Sequence, residues 1–325
     1  MTSANRITAE FSIPSELSDR RLDQAASELM PEHSRSRLQH WIKTGALTVN
    51  GQTRKPRDKV LLNDQLSLDA EPEAQVSWQA EAIDLQVVYE DEHLLVINKP
   101  AGLVVHPAAG HADGTLVNAL LNYAPEVENL PRAGIVHRLD KDTSGIMVVA
   151  RSLIAHTSLV EQLQTRTMGR EYEAVAIGTM TGGATVDAPI GRHPKERKKM
   201  GVVASGKPAV THYVVAERFA AHTHIRCKLE TGRTHQIRVH LAHVRHPLVG
   251  DQLYGGRPRF PKGSTERLRE LLAGFQRQAL HARQLTLEHP ETGDIMTWEV
   301  PLPGDLVQLL AGLREHKHDS ESRDV

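Results

Sequence analysis

Between Gly134 and Gly145 the chain sets His-Arg-Leu-Asp-Lys-Asp-Thr-Ser, residues 137–144, between two apolar runs, and no other stretch restricts the fold as strongly. Ile135 and Val136 read as the end of one buried strand and Ile146 to Val149 as the start of another. The polar residues between them must therefore form a tight loop on rigid flanks. Such a loop can present a reactive group. Asp140 is the candidate, with Arg138 at the alternate position before it and Lys141, Asp142, Thr143 and Ser144 able to bond the loop to itself. Capping of backbone amides is the usual work of a loop aspartate, and the local string leaves both roles open.

A chain of 325 residues suits two domains, one of them large enough to bury a substantial core. The formal net charge of −1 hides a segregation. Residues 20–59 hold nine Lys or Arg against four Asp or Glu, whereas residues 60–92 hold nine acids and neither Lys nor Arg. A basic module followed by an acidic stretch fits a nucleic-acid-binding domain joined to a second domain by a solvated linker. The single cysteine, Cys227, excludes an internal disulfide, suits a reducing compartment and cannot build a thiolate metal knuckle. Residues 1–16 carry acids and lack a continuous apolar core, so they do not read as a signal peptide. Nowhere does the chain approach the apolar length of a membrane span. These features predict a cytoplasmic protein with no membrane contact. Residues 316–325 are nearly all polar and are expected to be a disordered tail.

Residues 21–29 and 34–44 predict two short helices broken at Met30-Pro31, the second with Ser34 as N-cap, Leu38, Trp41 and Ile42 on one face, and Gly45 as terminator. Leu47 to Val49 followed by Asn50-Gly51 is a strong hairpin signal, with the return expected through Arg54, Lys55, Arg57 and Lys59. The order Arg-Leu-Asp, Ser-Arg-Ser, a helix ending in Gly, and Val-Asn-Gly resembles the S4 RNA-binding domain over residues 19–77. Arg35, Arg37 and Lys43 on one helix, beside Arg54, Lys55 and Arg57, would suit the phosphates of structured RNA. Residues 70–82 have linker composition. The predicted division is an N-terminal extension (1–18), the S4-like domain (19–77), a larger domain (78–315) and the tail (316–325).

In the larger domain, residues 94–97, 145–150, 172–177, 210–215, 225–229 and 295–300 read as strands and residues 114–121 and 152–164 as helices. Strands outnumber helices, so the fold class is α+β, with a mixed, mostly antiparallel sheet, flanking helices and a small N-terminal α+β domain. The run His-Arg-Leu-Asp-x-x-Thr-Ser-Gly, the string Asn98-Lys-Pro-Ala-Gly-Leu-Val-Val-His-Pro107 and the string Thr231-Gly-Arg-Thr-His-Gln-Ile-Arg238 resemble the RluA family of RNA pseudouridine synthases. The likeness extends from the S4-like segment to about Leu302.

Membership would imply the pseudouridine synthase fold, no cofactor and no metal, with Asp140 rather than Asp142 as the catalytic aspartate. It would make Arg233 the arginine paired with that aspartate, where a bidentate guanidinium would oppose the upward pull of burial on a carboxyl pKa. Tyr172 would stack on the target base and stand near its proton, Leu280 would pack against the uracil ring, and Arg138 would fill the gap left by a flipped nucleotide. His137 would brace the loop. The S4 module and overall length most resemble the D subgroup, which modifies large-subunit (23S) ribosomal RNA, so the expected partner is ribosomal RNA, free or in assembling large subunits, with the protein a monomer.

His235, His240, His243 and His246 raise the possibility of a metal site, since spacing of three can align imidazoles on a helix. No accompanying carboxylate or thiolate completes a ligand set in the sequence. Arg192-His-Pro-Lys-Glu-Arg-Lys-Lys199 reads as a mobile basic loop able to clamp RNA. Two other classes remain open at this stage. One is a non-catalytic RNA-binding or ribosome-assembly factor; the other is an aspartate-based hydrolase, which would want clustered carboxylates for Mg²⁺ where this chain supplies cations. A related synthase acting on tRNA is also open, as is whether Asp140 attacks C1′, attacks the ring or removes a sugar proton.

Overall fold

The structure is a computed structural model that describes residues 6–323 apart from 32, 34, 71–77, 108–112 and 197. The chain divides into two units, residues 1–77 and 78–325.

The first unit holds β1 (Ile7–Ser12), α1 (Leu22–Leu29), α2 (Arg35–Thr44), β2 (Leu47–Val49) and β3 (Gln65–Ala70). Its antiparallel sheet runs β1-β3-β2. Spacing explains the core: Leu22, Ala25 and Ala26 on α1 and Leu38, Trp41 and Ile42 on α2 follow the helical repeat, and all are buried against Leu47, Val49, Leu66 and Leu68. Two expectations are corrected. The segment expected as an extension, 1–18, supplies β1, whose Ile7 to Ser12 pair with Ala70 to Gln65. The basic stretch after Asn50-Gly51 is not the return strand. Val49 and Gln52 close a tight turn, and β2 then pairs with β3, which lies in the acidic run. Alternation decided this, since Leu66, Leu68 and Ala70 offer an apolar face that residues 54–59 lack. Of the expected linker, 71–77 lie outside the described residues, as does the expected N-cap Ser34.

The second unit contains β4 (Val87–Glu90), β5 (Leu94–Lys99), α3 (Leu116–Tyr123), β6 (Ser144–Ala150), α4 (Leu153–Thr165), β7 (Gly169–Ile177), β8 (Ala184–Asp187), β9 (Ile190–Arg192) and β10 (Met200–Val202). It continues with β11 (Val210–Arg218), β12 (His222–Leu229), α5 (Gln236–His243), α6 (Glu266–Gly274), β13 (Leu280–Glu288), β14 (Ile295–Glu299) and α7 (Gly304–Arg323). Among the described residues the main sheet has the order β4-β5-β6-β13-β7-β12-β11-β8, with β14 on β13, while β9 and β10 form a separate hairpin. All its strand pairs are antiparallel except β6 with β13, where His281 faces Ser144 and Ala282 faces Gly145. The sheet is therefore mixed and mostly antiparallel.

All seven residues of β6 are buried, as a central strand with an apolar run from Ile146 to Ala150 requires. Ile135 makes only a single bridge to Val149, so the run before the polar loop is not a strand. A 3-10 turn at Pro131–Gly134 precedes it, with Arg132 and Ala133 in the left-handed region. The segment expected as a disordered tail is helical through Arg323. Leu306, Leu309, Leu310 and Leu313 bury one face of α7 against a cluster that includes Leu268, Leu272 and Phe219, and His316 is buried as well. That stripe begins well before residue 316, and the helix it anchors carries the polar end along.

Candidate active site

The polar loop is held from below by a buried lysine. Lys99, at the end of β5, is 1% exposed and donates through Nζ to the carbonyls of Pro100, Leu103 and Lys141 at 2.8, 3.0 and 3.0 Å. Burial, only partly offset by Asp142 and Asp140, lowers its pKa to about 8. From the β13 side, Gln278 Nε2 donates to Thr143 Oγ1 at 3.0 Å, Arg277 Nη1 to the Asp142 carbonyl at 3.2 Å, and Ser144 Oγ meets His281 Nδ1 at 3.0 Å. Gly145 has φ +119°, and a Cβ there would stand 2.1 Å from the Ala282 carbonyl oxygen, so the loop enters β6 against bare backbone. Within the loop, Thr143 N–H donates to the Asp140 carbonyl. Most of the bracing thus comes from β5 and β13 rather than from the loop itself.

This frame sets Asp140 in the wall of a cavity of about 640 Å³. Its Oδ2 accepts from Arg238 Nη1 at 2.9 Å. Arg238 lies on α5 and is itself gripped from behind: Nε donates to Asp251 Oδ2 at 2.7 Å and Nη2 to Asp251 Oδ1 at 3.0 Å. The Asp251 carboxylate has no exposed surface, and its Oδ1 also accepts from the amides of Leu253 and Tyr254. Against its own burial, the bonds and charges of Asp251 and Asp140 raise the Arg238 pKa further, so the guanidinium is permanently charged.

The expected partner of Asp140 was Arg233, and here the structure differs. Arg233 lines the same cavity, but its Nε donates to the Pro208 carbonyl at 3.0 Å. Arg233 precedes α5, whereas His235 and Arg238, three apart at the helix start, come onto one side of it. The start of the helix turned Arg238 inward and left Arg233 at the rim.

The remaining candidates converge on the cavity, which Tyr172, Leu280, His137 and Arg138 all line. Tyr172 and Arg170 alternate on β7 and share its cavity face. Burial, opposed by the Arg170 charge, raises the Tyr172 hydroxyl above its ordinary range, so it stays protonated. Arg170 was not anticipated. It is buried, its Nε has no partner, and a Cβ on Gly232 would lie 2.7 Å from its Nη1. Leu280 opens β13 and is 4% exposed. His137 Nε2 accepts from Val148 N–H at 3.1 Å, and burial together with the Arg170 charge lowers its pKa to about 3. A neutral imidazole accepting a strand amide is a brace. Arg138 is exposed at the mouth.

The four histidines disperse. His235 Nδ1 meets Tyr254 Oη at 2.8 Å, His240 bonds Thr211 Oγ1 and the Ala188 carbonyl, His246 Nδ1 bonds the Ile177 carbonyl, and His243 ends α5. Among the described residues no group of three or more His, Cys, Asp or Glu side chains could hold a metal ion. Cys227 is buried, and burial pushes its thiol up to about 12, which excludes it as a nucleophile at neutral pH.

In the N-terminal unit, Lys43, Arg54, Lys55 and Arg57 are exposed. Arg35 is partly committed, donating through Nη2 to the fully buried carboxylate of Asp23 at 2.9 Å, a carboxylate shared with Arg21 and Gln39. Arg37 lies over the Trp41 ring at 5.1 Å. No described helix is long and apolar enough to cross a membrane.

An ionic triad, sealed at Asp251 and open to the pocket at Asp140, forms one wall, and an aromatic ring and a leucine line the pocket elsewhere, an arrangement suited to a planar polar group. The family model for RNA pseudouridylate synthase matches residues 93–243, and that for the S4 domain matches residues 20–66. The chain is 62% identical over 305 residues to the ribosomal large subunit pseudouridine synthase D of Pseudomonas aeruginosa, covering 94% of this chain and 95% of that protein. It is 53% identical to the protein of the same name from Escherichia coli K12, covering 97% and 98%. The solved structure of human RNA pseudouridylate synthase domain containing 4 superposes with a TM-score of 0.57 at 28% identity, covering 70% of this chain and 93% of that one. The chain belongs to the RNA pseudouridylate synthase family.

Proposed function

We propose that this protein isomerises specific uridines of large-subunit (23S) ribosomal RNA to pseudouridine, with Asp140 as the catalytic residue. The observation that carries the reading is the Asp140 carboxylate, held at the wall of the cavity by an arginine that is itself fixed by Asp251. The reaction needs no oxidant and no group donor: the C1′–N1 bond breaks, uracil turns, C1′ bonds to C5, the C5 proton leaves, and N1 takes up a proton in exchange, so that the product is an isomer. A stacked nucleotide exposes neither C1′ nor C5, so the uridine is flipped out. Asp140 then faces the ribose and the base edge, Tyr172 and Leu280 hold the ring, and Arg138 at the mouth fills the gap in the RNA. Arg238 is the guanidinium partner of the carboxylate, and Arg233 serves at the rim for the RNA backbone.

Residues 19–77, with the strand that precedes them, act as the S4-type RNA-binding domain, using Arg35, Arg37, Lys43, Arg54, Lys55 and Arg57, and residues 78–315 as the catalytic domain. The protein works as a cytoplasmic monomer on ribosomal RNA, including that of assembling subunits. The support for ribosomal RNA over tRNA is the D-type name carried by relatives similar over nearly the whole chain.

Pseudouridine mapping across total RNA from cells lacking the gene tests this. The wild-type chain restores the lost large-subunit sites, whereas Asp140→Asn restores none and binds the RNA as wild type does. Unchanged ribosomal RNA with altered tRNA, or restoration by Asp140→Asn, overturns it.

A further inference from the structure

Tyr254 connects two parts of the molecule that the reaction scheme leaves separate. Its hydroxyl oxygen accepts from Met200 N–H at 3.0 Å and lies 2.8 Å from His235 Nδ1. Met200 opens β10, so the phenol is fastened to the β9–β10 hairpin, which is not part of the main sheet and whose connecting loop exposes Lys195 and Lys198.

With one phenol lone pair taken by the Met200 amide, a hydroxyl that donates to His235 Nδ1 fits the contact. In that arrangement the imidazole carries its own proton on Nε2. That nitrogen stands 3.8 Å from Asp140 Oδ1, the oxygen that Arg238 leaves open. The gap is too long for a hydrogen bond and short enough to close with a small ring movement. His235 sits at φ +57°, a left-handed conformation costly for a residue with a Cβ, at the wall of the cavity. Tyr254 also supports Arg238, whose Cζ lies 5.0 Å from its ring centroid. Burial lowers the His235 pKa, consistent with a neutral ring.

We propose that His235 is a positioning residue: the chain Met200 N–H, Tyr254 and His235 links the seating of RNA on the β9–β10 hairpin to the Asp140 carboxylate, with Nε2–H donating to Oδ1 once RNA is bound. The proposal rests on the synthase reading. No proton is transferred along the chain; it orients Asp140.

The test uses the full chain with a ribosomal RNA transcript under single-turnover conditions, measuring RNA affinity and the saturating rate separately. Asn tolerates the left-handed backbone but is too short to reach Asp140, and Gln places an amide N–H near the Nε2 position. His235→Asn is expected to lower the saturating rate about tenfold or more, as for loss of a bond to a charged group, with affinity within about twofold. His235→Gln should recover most of that loss. Replacing Lys195 and Lys198 by Ala should lower both affinity and rate in the wild-type background, and affinity alone once Tyr254→Phe has cut the chain. The coupling is overturned if His235→Asn keeps its rate, if Asn and Gln are equally impaired, or if the lysine pair lowers the rate by the same factor in both backgrounds. A wild-type chain that forms no pseudouridine in any RNA would instead remove the synthase reading.

Discussion

Arg238 meets Asp140 with a single nitrogen, Nη1 at 2.9 Å, because its Nε and Nη2 are both committed to Asp251. Three of the guanidinium's five N–H groups thus bridge two carboxylates, one sealed inside the protein and one facing the cavity. The buried carboxylate fixes the plane of the arginine, and the arginine fixes the direction of the reactive one.

Lysine cannot hold this geometry, because an ammonium has no planar fork to span Asp251 and Asp140 together. Arg238→Lys is expected to reduce the saturating rate of pseudouridine formation by about a hundredfold or more, read as tritium release from RNA labelled at uridine C5. Asp251→Ala strands a buried guanidinium and should cost about 3–5 kcal/mol of folding stability, measured by urea unfolding. A loss below about 1 kcal/mol would mean that the pair is no stronger than a surface contact.

The entry to β6 carries a steric requirement. Gly145→Ala would drive a methyl group into the Ala282 carbonyl while adding left-handed strain, at a cost of about 3 kcal/mol or more. Gly256 has φ +74° with open space around it, so Gly256→Ala should cost only about 1–2 kcal/mol. Equal melting temperatures for the two variants would show that β6 and β13 separate more easily than their register implies.

Stability should fall on mild acidification through His222, which is 2% exposed with no partner for Nδ1. Burial, with the neighbouring His316 adding to it, lowers its pKa from 6.5 to about 4. The folded pKa lies below the unfolded one, so its contribution is complete above about pH 6.5 and is lost as pH falls toward 4. The slope from this group approaches about 1.4 kcal/mol per pH unit within that window. His137 and His106, lowered to about 3 and about 4 chiefly by burial, act in the same direction. Urea unfolding between about pH 4.5 and 7.5 should show His222→Asn with one proton less of pH dependence; an unchanged slope would place the sensitivity elsewhere.

Much of the site was legible because it is carried by short strings. Asp140, Arg138 and His137 lie within four residues of one loop, and Tyr172 on β7 and Leu280 at the start of β13 stand on two strands that pair with each other. The guanidinium partner was not legible, since Arg233 and Arg238 share one basic string and only the point at which α5 begins decides which turns inward. Asp251 and Tyr254 carry no signal of their own. They reach the site because the loop after α5 folds back over that helix, a contact between segments whose residue types are ordinary.

The same division runs through the fold. Apolar alternation and helical spacing along the chain determined that it is α+β, that a basic module precedes a larger domain, and that a charged loop enters a buried strand, because these properties depend on neighbours a few residues away. Tertiary structure alone decided that β3 rather than the basic stretch completes the N-terminal sheet, that the C-terminal segment is helical, and that Arg238 holds Asp140. In each case two local options were nearly equal, and burial against a distant partner made the difference: Leu66 and Leu68 of β3 against β2, the leucines of α7 against α6, and Asp251 against Arg238.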